Sequence, residues 1–327
     1  MNVNTHQHVF AGVEMGGTKC VCTLGTGPDD IREQRTIATT DPQTTLGSIA
    51  ALLEGWSEHS GSFDAIGVAT FGPVDLDRGS STYGRIGSTP KTLWQQVDVA
   101  GFFAQRFRVP VGLTTDVIGA ALGEGRWGNA RGLRDYAYIT VGTGIGVGLI
   151  AEGRPVMGCQ HPELGHARIV RMKGDEWPGS CAFHGDCIEG LASGPAIQAR
   201  TGQPAANLSA DDPVWHTVAH ALGQLAHLLV VSVAPRRILI GGGVIQSRPE
   251  LFPLVRRRLF ESLNGYHQNP ELSSGIDRFI GPPGLGALAG PLGALAVAHD
   301  MYGDSCDGDG DAAAQTSRSG RFCRASP

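Results

Sequence analysis

The segment His161-Pro162-Glu163-Leu164-Gly165-His166 and the nearby Cys181-Ala182-Phe183-His184-Gly185-Asp186-Cys187-Ile188-Glu189 concentrate metal-ligating and acid–base side chains in one stretch. Cys181, His184 and Cys187 form a compact Cys-x2-His-x2-Cys cluster, and His166 lies within loop reach as a fourth donor. Zinc takes four nitrogen or sulfur ligands in a tetrahedron, and close pairs plus one distant ligand are how a loop supplies them. A buried thiol pair or a disulfide is the alternative, but short Cys/His clusters in cytosolic chains more often bind metal. Glu163 and Glu189 are not needed by such a metal. They point to a polar site that the metal holds in shape.

Three glycine-rich turns add a second kind of chemistry. Gly16-Gly17-Thr18-Lys19 offers backbone N–H groups, a hydroxyl and an ammonium, which are phosphate-binding parts. It is not a Walker A loop, because no Gly-Lys dipeptide occurs in the chain. Gly142-Thr143-Gly144-Ile145-Gly146 is a similar turn, and it lacks the following helix of a dinucleotide fingerprint. The first alone is more often just a turn, and the second alone reads also as a Gly-rich hairpin bend; together they suit a polyphosphate gripped from two sides. Gly241-Gly242-Gly243 follows a strand and leaves bare backbone against which a flat ring could lie, or simply turns the chain. Asp116 stands where a strand meets a helix, either as a helix cap or as a general base toward a substrate hydroxyl.

The elements that must position these residues alternate in type. Val9–Glu14 reads as a strand and Cys20–Leu24 as its return. Tyr136–Val141 and Ile145–Ala151 repeat that hairpin about 125 residues on, which hints at a duplicated core. Between them the sequence predicts a helix near Thr44–Glu58, a strand at Ala65–Thr70, a helix near Val99–Arg106, a strand at Val111–Thr114 and a helix from Val117 to Glu124. Val214, Val218, Leu222, Leu225 and Leu229 recur at helical spacing. Arg237–Ile240 reads as a strand, and Pro282–Ala298 as a Gly/Ala-rich terminal helix region. From Gly303 onward the composition reads as a disordered tail, with Cys306 and Cys323 incidental. Alternating strands and helices make this an α/β protein with sheets covered by helices.

Composition narrows the classes. The 327 residues are 41% apolar and 17% charged, enough for two domains with sizeable cores. A net charge of −5 without a basic run argues against nucleic acid. No signal peptide is legible and no run of about 18 apolar residues stands out. Seven cysteines at uneven spacing do not form a disulfide framework, so a reducing cytoplasm is expected.

Taken in order, Glu14-x-Gly16-Gly17-Thr18-Lys19, Thr115-Asp116 ahead of Ala120-Ala121-Leu122-Gly123-Glu124, Val141-Gly142-Thr143-Gly144-Ile145-Gly146, Glu163-Leu164-Gly165-His166, the Cys181/His184/Cys187 cluster and Gly241-Gly242-Gly243-Val244 resemble ROK-family sugar kinases. The resemblance covers about residues 9–300. Phe71-Gly72-Pro73-Val74-Asp75, Tyr83-Gly84, Ser88-Thr89-Pro90-Lys91 and the Cys-x2-His-x2-Cys spacing resemble the bacterial fructokinase branch. The family carries an actin-like ATPase (ribonuclease H-like) fold, two α/β domains around a nucleotide cleft, usually as a dimer. Carried onto this chain, that implies a small domain over 1–117, a large domain over 118–284, a terminal helix over 285–302 returning to the small domain, and a tail over 303–327.

The resemblance further implies ATP-dependent phosphorylation of fructose. Asp116 would be the base. Glu163, His166 and Glu189 would hold sugar hydroxyls, with Gly72 and Thr115 also at the sugar. Gly16, Gly17, Thr18, Lys19, Thr143 and Gly144 would hold ATP phosphates, Gly241, Gly242 and Gly243 would face the adenosine, and Glu14 would orient Mg²⁺ through water. His166, Cys181, His184 and Cys187 would hold a structural Zn²⁺. The family often has Asp-Thr-Asp-Val-Asn ahead of the Ala run, where this chain has Thr114-Thr115-Asp116-Val117-Ile118. Mannose or glucose is the alternative substrate. A sugar-sensing repressor of the same fold needs an N-terminal helix-turn-helix, for which the strand starting near Val9 leaves no room.

Overall fold

In the computed structural model, which describes residues 8–266 and 270–308, two five-stranded sheets are each built around a glycine-turned hairpin. The first hairpin is β1 (Phe10–Met15) and β2 (Lys19–Gly27), joined by β3 (Asp30–Ala38), β4 (Ala65–Thr70) and β5 (Val111–Thr115) in the order β3-β2-β1-β4-β5. β1 and β4 are nearly continuous apolar runs because helices cover both of their faces. β3 carries no strand signal in the sequence: its Arg32-Glu33-Gln34-Arg35 stretch is polar because it is an edge strand facing water.

The strand register places the site. Met15 pairs with Thr70 and Thr70 with Thr115 across parallel strands, so β1, β4 and β5 end level. Residues just beyond those ends share one edge, the usual place for a ligand in an α/β sheet.

The first sheet carries α1 (Pro42–His59), α2 (Val99–Arg106) and α3 (Asp116–Trp127). Asp41 caps α1 by accepting from Thr44 N at 2.9 Å, and Leu46, Ile49, Leu53 and Trp56 form its buried stripe. The cap of α3 is Thr115, whose hydroxyl accepts from Ile118 N at 3.2 Å. Asp116 is therefore the first helical residue rather than the cap, which frees it from a purely structural role.

The second sheet holds β6 (Tyr136–Val141), β7 (Ile145–Ala151), β8 (Arg154–Pro155), β9 (Arg237–Gly241) and β10 (Ile280–Gly281) in the order β10-β9-β6-β7-β8. β6 runs antiparallel to β7 and parallel to β9, repeating the first sheet's pattern. Helices α4 (Ile188–Ala192), α5 (Gly194–Thr201), α6 (Val214–Val233), α7 (Gly243–Gln246), α8 (Leu251–Leu263), α9 (Pro270–Ser273) and α10 (Ile276–Phe279) complete this part. Among the described residues α6 is the one helix long and apolar enough to cross a membrane. Its Val218, Leu222, Leu225 and Leu229 are fully buried in the core of the second sheet, which accounts for that composition. The amphipathic α8 is also hidden from sequence reasoning; its three consecutive arginines, Arg256-Arg257-Arg258, mask the buried Leu251, Val255, Leu259 and Leu263.

The terminal helix, α11 (Ala289–Gly308), starts later than the sequence suggests and continues past Gly303, so 303–308 is helix and not tail. The rest of the expected tail, including Cys323, lies outside the described residues. α11 packs across β1 and β4 and against α3. The crossing is so close that a side chain at Gly293 would strike the backbone of Gly119. Buried Glu124 ties these parts together by accepting from Asn129 N, Gly284 N and Leu285 N at 2.8, 2.9 and 2.8 Å.

Candidate active site

The level strand ends bring Glu14, the Gly16–Lys19 turn, Gly72 and Asp116 to one edge of the first sheet. In the first turn Gly16 N donates to Lys19 O at 3.0 Å, and Thr39 of the β3–α1 connection donates its hydroxyl to Gly16 O at 2.8 Å. Thr18 and Lys19 project from this pinned turn into solvent.

The second turn is built alike. Gly142 N donates to Gly144 O at 2.9 Å, and Gly194 N at the start of α5 donates to Gly142 O at 2.8 Å. Glu189 Oε2 accepts from Ile145 N at 3.0 Å. The same carboxylate fills the space in which a side chain on Gly144 would begin, 2.7 Å away.

Asp116 lies at the start of α3, where its Oδ1 accepts from Val117 N at 2.9 Å. Burial pushes its carboxyl up to about 6. Burial, then the charge of Asp116, lifts Glu14 to about 7, against the opposing pull of Lys19. Burial, then Asp116 and Glu189, lifts Glu163 to about 7 as well. Burial is thus the main cause for all three raised carboxyls, with the charge of Asp116 adding at Glu14 and Glu163, and a cluster of buried, raised carboxyls marks a candidate site.

His166, Cys181, His184 and Cys187 converge on one point, with all four ligand atoms within 4.8 Å of one another. His166 Nδ1 is 3.6 Å from both Cys181 Sγ and Cys187 Sγ, and His184 Nδ1 is 3.7 Å from Cys181 Sγ. A tetrahedron with Zn–S of about 2.3 Å and Zn–N of about 2.05 Å has S···N edges of about 3.6 Å, so the donor set fits zinc. The cluster is stitched by paired Cys181 and Gly185 backbones and by the cap of Cys187 Sγ on Gly190 N at 3.4 Å. His166 Nε2 faces away from the sulfurs toward Glu189 Oε1, 4.0 Å distant.

The triple glycine divides in function. A side chain on Gly241 would meet Tyr138, and one on Gly242 would meet the Val141 backbone. Gly243 alone opens onto free space, so one of the three offers bare backbone to a ligand.

Two further residues lie against these candidates, Lys91 and His161, and sequence reasoning assigns neither of them a role. Lys91 lays its chain beside Gly17, its Cε 3.4 Å from where a side chain there would start. That puts a second ammonium stem over the first glycine turn. His161 is buried against the backbone of Val74, and only the fold could show that contact.

The model of the ROK family matches residues 10–301. A proposed fructokinase of Bacillus subtilis (strain 168) is 42% identical over 89% of this chain and 95% of its own length. A fructokinase of Pediococcus pentosaceus is 38% identical over 89% of this chain and 98% of its own. Among solved structures, a ROK hexokinase from Thermus thermophilus is similar with a TM-score of 0.70 and 26% identity, covering 90% of this chain and 99% of that one.

Proposed function

Because the chain belongs to the ROK family and carries its actin-like ATPase fold, we propose that it phosphorylates fructose with ATP, giving fructose 6-phosphate and ADP. The observation that supports this most is the half-buried Asp116 at the level strand ends, within electrostatic reach of Glu14 and Glu163. The sugar's 6-hydroxyl attacks the γ-phosphorus, the new O–P bond forms as the bond to the β-phosphate oxygen breaks, and Asp116 takes the hydroxyl proton. Most of the catalysis is positioning and charge neutralisation.

In this proposal Gly16, Gly17, Thr18 and Lys19 hold phosphates from one side, and Thr143 and Gly144 from the other. Gly243, and less directly Gly241 and Gly242, face the adenosine. Glu14 orients the Mg²⁺ that accompanies ATP, a carboxylate–water contact typical of that ion. Glu163, His166 and Glu189 hold sugar hydroxyls, next to Gly72 and Thr115. A structural zinc on His166, Cys181, His184 and Cys187 has all four positions filled by protein. When bound it fixes the loop that carries His166 and Glu189.

The proposed division keeps 1–117 and 118–284 as the two halves of the cleft, with 285–302 returning to the first. Free thiols at Cys20, Cys22 and Cys159 suit a reducing cytoplasm, and the resemblance points to a homodimer.

The test of the sugar is a side-by-side assay of fructose, mannose, glucose and N-acetylmannosamine. Fructose should give the highest kcat/KM and mannose a weaker second. Glucose ahead of fructose would overturn the fructose assignment and leave the kinase.

The phosphate site is tested by Lys19→Ala. It should raise the KM for ATP about 10- to 100-fold, the size of a charge-assisted hydrogen bond, with fructose affinity unchanged. Calorimetric titration with fructose and a non-hydrolysable ATP analogue separates the two; a loss confined to sugar would misplace the phosphate site.

A further inference from the structure

His161 lies on the segment between β8 and the Leu164–His166 turn, in the second half of the molecule, with a side chain only 5% exposed. Its Nε2 accepts from Val74 N at 3.2 Å, across 87 residues of sequence. Val74 lies just beyond β4, in the first half. A backbone N–H can only donate, so Nε2 carries the lone pair and the neutral ring carries its proton on Nδ1. That Nδ1 has the Pro162 backbone carbonyl as a hydrogen-bond partner and also lies 3.5 Å from Glu163 Oε1. Burial holds the ring below the usual histidine range, which keeps the neutral form.

Gly72 completes the contact. A side chain there would begin 3.1 Å from His161 Cε1 and 3.2 Å from Glu163 Oε1. The segment Gly72-Pro73-Val74, the imidazole and the Glu163 carboxylate are thus packed against one another, and the ring stands between a backbone donor of one half and a cleft carboxylate of the other.

We infer that His161 is a positioning residue for the sugar site: anchored on Val74, it aims the Glu163 carboxylate at the sugar. The inference rests on Glu163 being a sugar ligand, as in the proposed function. It makes sugar affinity depend on the first half's Gly72–Val74 segment staying docked against the second half. The ring itself need not touch the sugar.

The test measures fructose and a non-hydrolysable ATP analogue by calorimetry on the full chain. His161→Phe keeps the volume and removes both nitrogens. It should weaken fructose about three- to tenfold, the size of one ordinary hydrogen bond, with the ATP analogue within twofold. His161→Asn restores an N–H donor close to where Nδ1 lies and should fall between wild type and His161→Phe. It also carries the test if the Phe variant does not fold, through the same sugar-selective loss.

Glu163→Gln separates this inference from the sugar-site reading beneath it. If Glu163→Gln weakens fructose and His161→Phe adds nothing on top of it, the two act as one unit and the inference stands. If Glu163→Gln weakens fructose and the His161 variants do not, or the two losses add, His161 does not act through Glu163. If Glu163→Gln leaves fructose binding intact, the sugar-site reading fails and this inference with it. Equal weakening of fructose and nucleotide by the His161 variants marks a general structural loss and overturns it too.

Discussion

Asp116→Asn should lower kcat by about 10²–10⁴-fold, the usual contribution of a positioned general base, while the nucleotide analogue binds as in the wild type. Asn keeps the shape and the acceptor to Val117 N, and removes the proton acceptor that the sugar hydroxyl needs. The pH profile sharpens the assignment. Burial raises Asp116 to about 6, and the base works only when ionised. Activity of the wild type should therefore begin to fall as pH drops through about 7, where Glu14 and Glu163 take up protons, and fall further through about 6 with Asp116. Folding stability runs the other way. A carboxyl raised in the folded state contributes stability that is fully present below its ordinary value near 3.8 and lost as pH rises through about 6. Asp116→Asn removes that penalty, so at pH 8 the variant should melt no lower than the wild type. Near-wild-type turnover would take Asp116 out of the mechanism, and a low melting point at pH 8 would mean the variant had lost structure rather than a base.

Cys187→Ser should reduce zinc from one ion per chain to nearly none and take activity with it. A structural metal binds the folded chain and not the unfolded one, so its free energy is folding free energy. Withdrawing a few kcal/mol in a chain of this size lowers the melting temperature by about 5 °C. Serine is an informative replacement here, because Cys187 also caps α4 on Gly190 N and a hydroxyl can keep that cap. Loss of stability would then trace to the metal and not to the helix end. Cys181→Ser and chelator treatment of the wild type should reproduce the effect. Elemental analysis that finds no zinc in protein purified without chelator, or a fully stable Cys181→Ser protein, would remove the site.

The sequence alone determined the local units. Tyr136–Val141 and Ile145–Ala151 are legible to the residue, and the helical stripe of Val214, Val218, Leu222, Leu225 and Leu229 is legible too, because an apolar run or a helical stripe bounded by Gly or Pro is a local signal. The metal-ligand spacing of Cys181, His184 and Cys187 is local too, held by one loop. Where the local signal is masked, it fails. β3 is polar because it is an edge, α8 hides its stripe behind arginines, and the sequence places α11 too early because Gly and Pro at 281–286 blur a helix start.

The tertiary structure alone decided what comes together around Asp116. Glu14, Asp116 and Glu163 stand far apart in the chain, and the parallel register of Met15, Thr70 and Thr115 is what levels the strand ends that carry the first two. It also decided that Thr115 rather than Asp116 caps α3, that Lys91 lies over Gly17, and that His161 reaches Val74. Strand and helix patterns arise from neighbours a few residues apart, so a sequence displays them. Contacts between residues as distant in the chain as Gly17 and Lys91, or Val74 and His161, depend on how whole sheets pair and pack, and no short-range pattern carries that information.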